Sequence, residues 1–355
     1  MNLNDPVNRV VTYKGQAVDV KQVGRELGVR YVLEGSVRKA SGRVRITAQL
    51  IDSLNGTHLW ADRFDGSLED VFQLQDQVAI SVAGVIEPAL RAAEIRRSSQ
   101  WPTRDLTAYD FYLRALPNRA AYDKDHTVRA LDLLAQAIER DPRYGPALAL
   151  AADCHHFLVA NGWEDNKETD QREGVHFAHE AIRFAAADPS ALGKAAFVLG
   201  FFGENIDAAI ALMDRSLALN PSFAEGWYDS GVLRNFAGQP DLAITHLETS
   251  LRLNPRDRKA RHLTGIGVSH FFNRRFDEAV ASLVVSLEEI PSWPVTYRVL
   301  ASCYAHMGRL DEARELVKQL RAITPVVVPD ATHWRNPEHR ELFLSGLRLA
   351  AGEET

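Results

Sequence analysis

Residues 221–255 read PSFAEGWYDSGVLRNFAGQPDLAITHLETSLRLNP, and residues 291–325 read PSWPVTYRVLASCYAHMGRLDEARELVKQLRAITP. Both segments open and close on prolines 34 positions apart, Pro221 to Pro255 and Pro291 to Pro325. Trp227, Gly231, Gly238, Ala243 and Leu247 fall at the same offsets as Tyr297, Ala301, Gly308, Ala313 and Val317. A fixed period of this length marks stacked helical hairpins, each burying its apolar face against its neighbours. Small residues at Gly231, Ala243, Ala301 and Ala313 suit close approach of helix axes, with larger side chains filling between them. Gly238 and Gly308 suit the tight turn inside a hairpin. Asp311-Glu312 suits the positive end of a helix. Each proline closes one hairpin and stands near the first turn of the next helix, where a missing N–H does no harm.

Working toward the amino terminus, the same pattern recurs with irregular spacing. Ala130, Leu134 and Ala137 precede Pro142 as Ala243, Leu247 and Ser250 precede Pro255, and a first helix is expected around Tyr109–Leu116. The second unit pairs Pro146–Val159 with Glu173–Ala186, the third covers Ala191–Pro221, and the fifth runs two residues long to Pro291. Insertions are expected at Pro117–Asp125 and Asn161–Asp170, the latter forming a variable surface. The count is about six hairpins within residues 101–325. Beyond Pro325, Val326–Pro329 is expected as a short extended connector. Pro337–Ala350 is expected as a helix that closes the array with Leu342, Leu344 and Leu347 on its apolar side.

The repeat resembles the tetratricopeptide repeat (TPR). That resemblance implies a mainly α, right-handed solenoid whose inner groove is lined by the first helix of each hairpin. The groove-facing candidates are Glu225, Tyr228, Val232 and Asn235, then Lys259 and His262, then Arg298, Ser302, Ala305 and His306. Together they describe a polar, aromatic-dotted groove suited to a peptide or helix.

Residues 1–66 read differently. Val18–Leu27 has helical spacing with Gly28 as a stop. Arg30–Arg38, Arg43–Ile51 and Thr57–Phe64 alternate as strands, joined by turn signals at Ser41-Gly42 and Asn55-Gly56. In the middle strand Val44, Ile46, Ala48 and Leu50 share one face. An amphipathic helix follows from about Leu68 to Arg97, with Val71, Leu74, Val78, Val82, Val85 and Ala89 on one stripe and Pro88 as a kink. Residues 98–103 read as a linker. Residues 67–100 thus separate a small α/β domain from the array, and residues 326–355 close it.

The stretches VDVKQVGRELGVRYVLEGSVRK, RVRITAQLIDSLNGTHLWADRFD and LEDVFQLQDQV, within about residues 8–97, resemble the later half of the TolB amino-terminal-like (FlgO-like) domain. In bacterial proteins that domain lies between an output domain and a TPR array. The output is a class III adenylate/guanylate cyclase in many cases and a winged-helix DNA-binding domain in others. Such domains open with a strand and a helix before the segment resembling Val10–Gly15, and about a dozen residues precede it here. The expectation is an incomplete sheet with an open edge. Either the chain is a truncated or split gene product, or another polypeptide completes the sheet.

Composition bounds the chemistry. The chain has 355 residues, 46% apolar, with net charge −6. Residues 1–66 carry ten Lys/Arg and seven Asp/Glu, +3, leaving −9 for the rest, so direct nucleic-acid binding is not expected. No run of 18 apolar residues predicts a membrane span, and the amino terminus lacks the basic and apolar regions of a signal peptide. Cys154 and Cys303 show no ligand spacing and fit a reducing cytoplasm. No P-loop, HExxH or GxSxG occurs. Gly265-Ile266-Gly267 lacks a third glycine and follows no strand. His155-His156 and His176/His179 lack a completing carboxylate pair at good spacing. Trp60–Asp65 reads as strand packing and ion pairing, since Asp62 and Arg63 face opposite sides.

A cyclase needs its own α/β domain, which residues 1–66 are too few to supply. The expectation is a non-enzymatic cytoplasmic scaffold without cofactor or metal, binding a protein or peptide. It would act with a cyclase catalytic domain, a second copy of the chain, or a winged-helix regulator.

Overall fold

A computed structural model describes residues 19–40, 42–67, 74, 78, 82, 86, 89–96, 107–203, 205–254 and 259–352. They fall in two units, Met1–Glu94 and Ile95–Thr355.

In the first unit, Asp19 caps helix α1 (Val20–Leu27) by accepting from the Lys21 N–H, and Gly28 ends it at φ 67°. Strands β1 (Tyr31–Ala40), β2 (Arg43–Asp52) and β3 (Thr57–Ser67) form an antiparallel meander in that order. Ala40 pairs with Arg43, and Gly42 ahead of β2 takes a φ of 77°. Asp52 pairs with Thr57, so Asn55-Gly56 is the second half of a four-residue loop rather than a turn by itself. The register shifts between Leu50 and Ile51. That irregularity buries both residues, although strict alternation would expose one of them.

Ala48, Leu50 and Trp60 form the core of this unit, with Val82, Ala89 and Leu90 packed on it. Leu74, Val78, Val82, Ile86 and residues 89–96 are helical; Pro88, Ser41, residues 98–103 and the segment Val10–Gly15 lie outside the described residues. On the β1 side of the same apolar face, Leu33 and Val37 stay 47% and 59% exposed. Asp65 pairs with Arg45 at 2.6 Å and Arg63 at 3.2 Å.

The second unit is a run of six hairpins among the described residues. They are α2 (Ala108–Arg119) with α3 (Lys124–Arg140), α4 (Gly145–Asn161) with α5 (Lys167–Phe184), and α6 (Pro189–Phe202) with α7 (Ile206–Leu219). Then come α8 (Ala224–Phe236) with α9 (Pro240–Leu253), α10 (Lys259–Phe272) with α11 (Phe276–Glu289), and α12 (Pro294–His306) with α13 (Leu310–Leu320). Helix α14 (Pro337–Ala351) packs on α12 and α13, burying Leu342, Leu344 and Leu347.

The period has a physical basis in each hairpin. A Cβ on Gly231 would stand 2.6 Å from Leu247 Cγ, and one on Gly267 2.6 Å from Leu283 Cγ. Ala130, Ala209, Ala243, Ala279 and Ala313 are buried on the second helices. Ser216, Ser250 and Ser286 each donate back to the carbonyl of Pro189, Ala224 and Ala260 in the first turn of their own hairpin. Gly238 and Gly308, at φ 79° and 75°, make the intra-hairpin turns that L-residues resist.

Three expectations change. Pro221 and Pro291 stand in the connections, and α6, α9 and α12 start on or beside prolines of their own, Pro189, Pro240 and Pro294. The insertion at Pro117–Asp125 is mostly helix, since Pro117 lies inside α2 and α3 begins at Lys124. The insertion at Asn161–Asp170 shrinks to a loop of residues 162–166, because α5 begins at Lys167, where the Asn166 side chain caps it.

Candidate functional site

The first helices carry a row of charges on their shared interior. Arg119 reaches Asp153 at 2.8 Å, Lys194 lies 3.9 Å from Asp153 and 2.8 Å from Glu225, and Asp229 follows one turn on. The Arg261 guanidinium lies 4.3 Å from the Tyr228 ring centre, and that of Arg119 lies 3.8 Å from the Phe157 ring. Buried charges persist only when paired. Burial alone would raise the Asp153 carboxyl, but Arg119 and Lys194 hold it well below the usual carboxylate range. Burial also works against the Lys194 ammonium, yet Glu225 and Asp153 keep it above the ordinary lysine value. Asp229 goes the other way: burial, helped by Glu225 and Asp153, pushes it up against the pull of Lys194.

Of the ten expected groove residues, Ala305 is buried in the core, and the other nine separate into two sets. Glu225 belongs to the charge row, Tyr228 lies under Arg261, Val232 is half-buried against the core, and Lys259 is exposed at the start of α10. The other five hold the array together. Asn235 is buried, donates to the Gly265 carbonyl and accepts from Ser269. His262 is fully buried, 2.9 Å from Ser250 Oγ. Ser302 donates to the carbonyls of Arg298 and Phe343, and His306 Nε2 lies 2.7 Å from the Leu342 carbonyl. Arg298, 3% exposed, donates to the carbonyls of Ala160, Asn161 and Val326.

Arg298 belongs to a closure that repeat spacing does not announce. Residues 321–336 are not a short link but a strap running back across the carboxyl ends of the first helices. Trp163 Nε1 donates to the Ile323 carbonyl at 2.9 Å, and Thr324 Oγ1 donates to that of Gly162. Lys167 pairs with Asp330. His333 stacks on Phe201 at 4.8 Å, and Trp334 meets Phe236 and Phe272 at 5.2 and 4.7 Å. The Arg335 N–H reaches the Phe236 carbonyl and its guanidinium the Gly200 carbonyl. Carbonyls at a helix end are unsatisfied and carry the negative end of the dipole, so Arg298 and Arg335 are well placed at α4 and α6. The 162–166 loop is therefore held in packing rather than presented as a free variable surface. In the connection between α2 and α3 the array meets itself again: the Tyr122 and Trp293 rings lie 5.7 Å apart, and Ser292 Oγ donates to the Tyr122 carbonyl. A cleft of about 600 Å³ opens beside this closure, lined by Asp123, His126, Arg129, Trp163, Glu164 and Ile323.

Sequence reasoning missed Arg119, Asp153, Lys194, Asp229 and Arg261. The signal was available for two of them. Asp153 and Lys194 are the sole Asp, Glu, Lys or Arg in α4 and α6, and a lone charge in an otherwise apolar helix needs a partner. Among the described residues no group of His, Cys, Asp and Glu could hold a metal ion, and His155 is instead 2.6 Å from Asp170. No helix of the described residues is long and apolar enough to cross a membrane.

No family model matches the sequence. A protein of Rhizobium meliloti (strain 1021) bearing the provisional name adenylate cyclase 3 is 36% identical over 182 residues, 51% of this chain. The match takes in 31% of that relative, so the chain spans less than a third of its length. Among solved structures, the Cut9–Hcn1 hetero-tetramer of the APC/C aligns over 78% of this chain and 49% of its own, at 17% identity and TM-score 0.48. A thermophilic TPR protein of Thermus thermophilus aligns over 52% of this chain and 92% of its own, at 17% identity and TM-score 0.41. By its repeat length, its paired helices and the small residues at its helix contacts, the run from Ala108 to Leu320 has the fold of a tetratricopeptide-repeat solenoid.

Proposed function

We propose that this chain is a non-catalytic protein-binding scaffold that offers the interior of its repeat array to an extended segment or helix of a protein partner. The observation that carries this reading is the charged and aromatic row on the first helices, from Arg119 to Arg261, on a scaffold of stacked hairpins. Glu225, Tyr228, Val232 and Lys259 are the contact residues, and Asn235, His262, Arg298, Ser302 and His306 shape the face they stand on. The partner is a class III cyclase catalytic domain, either on another chain or on a longer form of this one. The 36% identity to the provisional adenylate cyclase supports that choice. The setting is a reducing cytoplasm, in which Cys154 and Cys303, both buried and free, remain thiols.

Calorimetric titration of the purified chain with the catalytic domain of a class III cyclase from the same genome tests the proposal. Saturable binding is expected, weakened at least tenfold by Lys259→Glu with Glu225→Gln, with no cyclic nucleotide formed from ATP by this chain alone. Turnover by the chain alone, or binding indifferent to the two substitutions, would overturn it.

A further inference from the structure

We propose that residues 321–336 are a displaceable occupant of the array, a built-in stand-in for an extended, proline-punctuated partner segment taken along the carboxyl ends of the first helices. The inference rests on the reading of the array as a peptide-binding face, and adds what the face recognises and what keeps it closed.

Three observations carry it. First, the strap has no regular secondary structure over residues 321–336, although helices flank it on both sides. It is held the way an extended peptide is held in a groove, by main-chain carbonyls and a few anchors. The carbonyls of Ile323 and Val326 take N–H donors from Trp163 and Arg298. His333 and Trp334 fill spaces between Phe201, Phe236 and Phe272. Second, its contacts visit successive hairpins in order: α4 and its loop through Ile323–Val326, α6 through His333 and Arg335, α8 through Trp334 and Arg335, and α10 through Trp334. A segment serving only to connect α13 to α14 has no need of this detour, because α14 docks on α12 and α13 at the end it came from. Third, the strap is tethered at both ends, because α13 and α14 each pack directly on α12. Its last residues stay joined to α14 through the Asn336 cap and the Arg340 bonds to the Trp334 carbonyl, so the stretch before them can lift while the hairpins remain.

The ligand chemistry follows. A replacing segment offers carbonyls to Trp163 and Arg298 and small branched side chains beside Gly162. An aromatic residue goes among the phenylalanines, followed by an arginine for the Gly200 carbonyl. Gly162 itself permits the approach, since a Cβ there would stand 2.8 Å from Val326 Cβ. Because the strap is tethered, its effective concentration is on the order of millimolar, and it outcompetes any free segment of modest affinity.

The test uses the full chain and a fluorescein-labelled synthetic peptide with the sequence of residues 322–336, AITPVVVPDATHWRN. The substitutions His333→Ala and Trp334→Ala, made together in the chain but not in the peptide, weaken the strap and leave the groove intact. Fluorescence anisotropy is expected to show peptide binding at least tenfold tighter to this variant than to the wild type. A variant that keeps its helical circular dichroism and gains no affinity overturns the proposal.

A second measurement does not depend on that variant folding. Lys167→Cys with Asp330→Cys, joined by a bis-maleimide, ties the strap down in the otherwise native chain. Hydrogen exchange at the carboxyl ends of α4 and α6 is expected to slow at least tenfold on stapling; unchanged exchange also overturns the proposal. Both readouts use the chain alone, so they report on the strap whatever the partner does. A cyclase domain binding stapled and free chains alike would instead overturn the groove as its docking face.

Discussion

Trp163 and Ile323 are 160 residues apart in sequence, and the indole Nε1 of one donates to the main-chain carbonyl of the other at 2.9 Å. The bond ties the loop of the second hairpin to the residues leaving the sixth, so an array normally free at both ends is pinned across its opening. Trp163 is 7% exposed, and its ring packs edge-on against Phe157. Trp163→Phe keeps most of that packing and deletes the donor. Leaving the carbonyl unsatisfied is expected to cost about 1–3 kcal/mol. The measurement is limited proteolysis within residues 321–336, which should accelerate while the second helices stay protected. Equal cleavage in both proteins would contradict the pinning role.

Arg298 supplies three donors to three carbonyls, those of Ala160, Asn161 and Val326. Burial lowers its guanidinium to about 10, against the opposing pull of Glu164, and it still remains charged at neutral pH. A lysine cannot reproduce this fork, because its donors radiate from one nitrogen rather than from a planar group. Arg298→Lys is expected to lose about 2–4 kcal/mol in urea unfolding, nearly as much as Arg298→Met. Recovery of most of the wild-type stability by lysine would show that charge alone matters there.

The contrast between these residues and the hairpins shows what the sequence makes legible. The hairpins follow from local rules, small residues at helix contacts and glycines at turns, so their period is visible from Gly231, Ala243 and Gly238 alone. Helix α14 is legible for the same reason, through Leu342, Leu344 and Leu347. The strap is not, because its contacts join residues 28 to 163 positions apart and use main-chain carbonyls, which every residue has. For the same reason Arg298, His262 and Asn235 read as groove residues. Helix spacing gives the face a residue is on, but not whether another part of the chain has already covered it.

Gly231 gives a test of the helix contact itself. In an isolated helix Gly→Ala is favourable by about 1 kcal/mol. Here the new methyl would stand 2.6 Å from Leu247 Cγ and 3.0 Å from the Ala243 carbonyl oxygen. Overpacking is therefore expected to win, with Gly231→Ala less stable by about 1–3 kcal/mol in chemical denaturation. A stabilised variant would mean that α8 and α9 can separate freely.

Two buried carboxylates in the charge row are expected to respond oppositely to pH. Asp153 has a depressed folded value, so its contribution is complete above the ordinary aspartate range and is lost as pH falls below about 4. Asp153→Asn leaves Arg119 and Lys194 facing an uncharged amide, and is expected to cost about 3 kcal/mol at pH 7. Asp229 has a raised folded value, so the fold favours its neutral form and loses stability as pH rises past the ordinary carboxylate range. Asp229→Asn, which keeps the neutral shape, is expected to be harmless at pH 5 and stabilising at pH 8. Urea titrations of both variants at the two pH values check the pair, and parallel behaviour would contradict the assignment.

His333 carries the last expectation, because it couples the strap to acid. Burial pushes its imidazole down to about 3 from an ordinary value near 6.5, with Asp330 opposing and His156, Arg335 and Arg298 adding to the depression. The ring is stacked on Phe201 and meets Phe236 edge-on, so a proton there would place a charge in an aromatic pocket. His156 and His339, in the same aromatic group, are also pushed down by burial. The folded form holds these rings neutral while the released or unfolded form takes up protons. Stability is complete above about pH 6.5 and is lost as pH falls through the window toward about 3. Each proton withheld contributes a slope of about 1.4 kcal/mol per pH unit inside that window. His333→Phe keeps the stack and removes one titration, so the slope between pH 6 and pH 4 should drop by about that amount. The readout is intrinsic tryptophan fluorescence in urea titrations at several pH values, alongside proteolysis of residues 321–336. If His333→Phe leaves the slope unchanged, acid does not act on the strap through this ring.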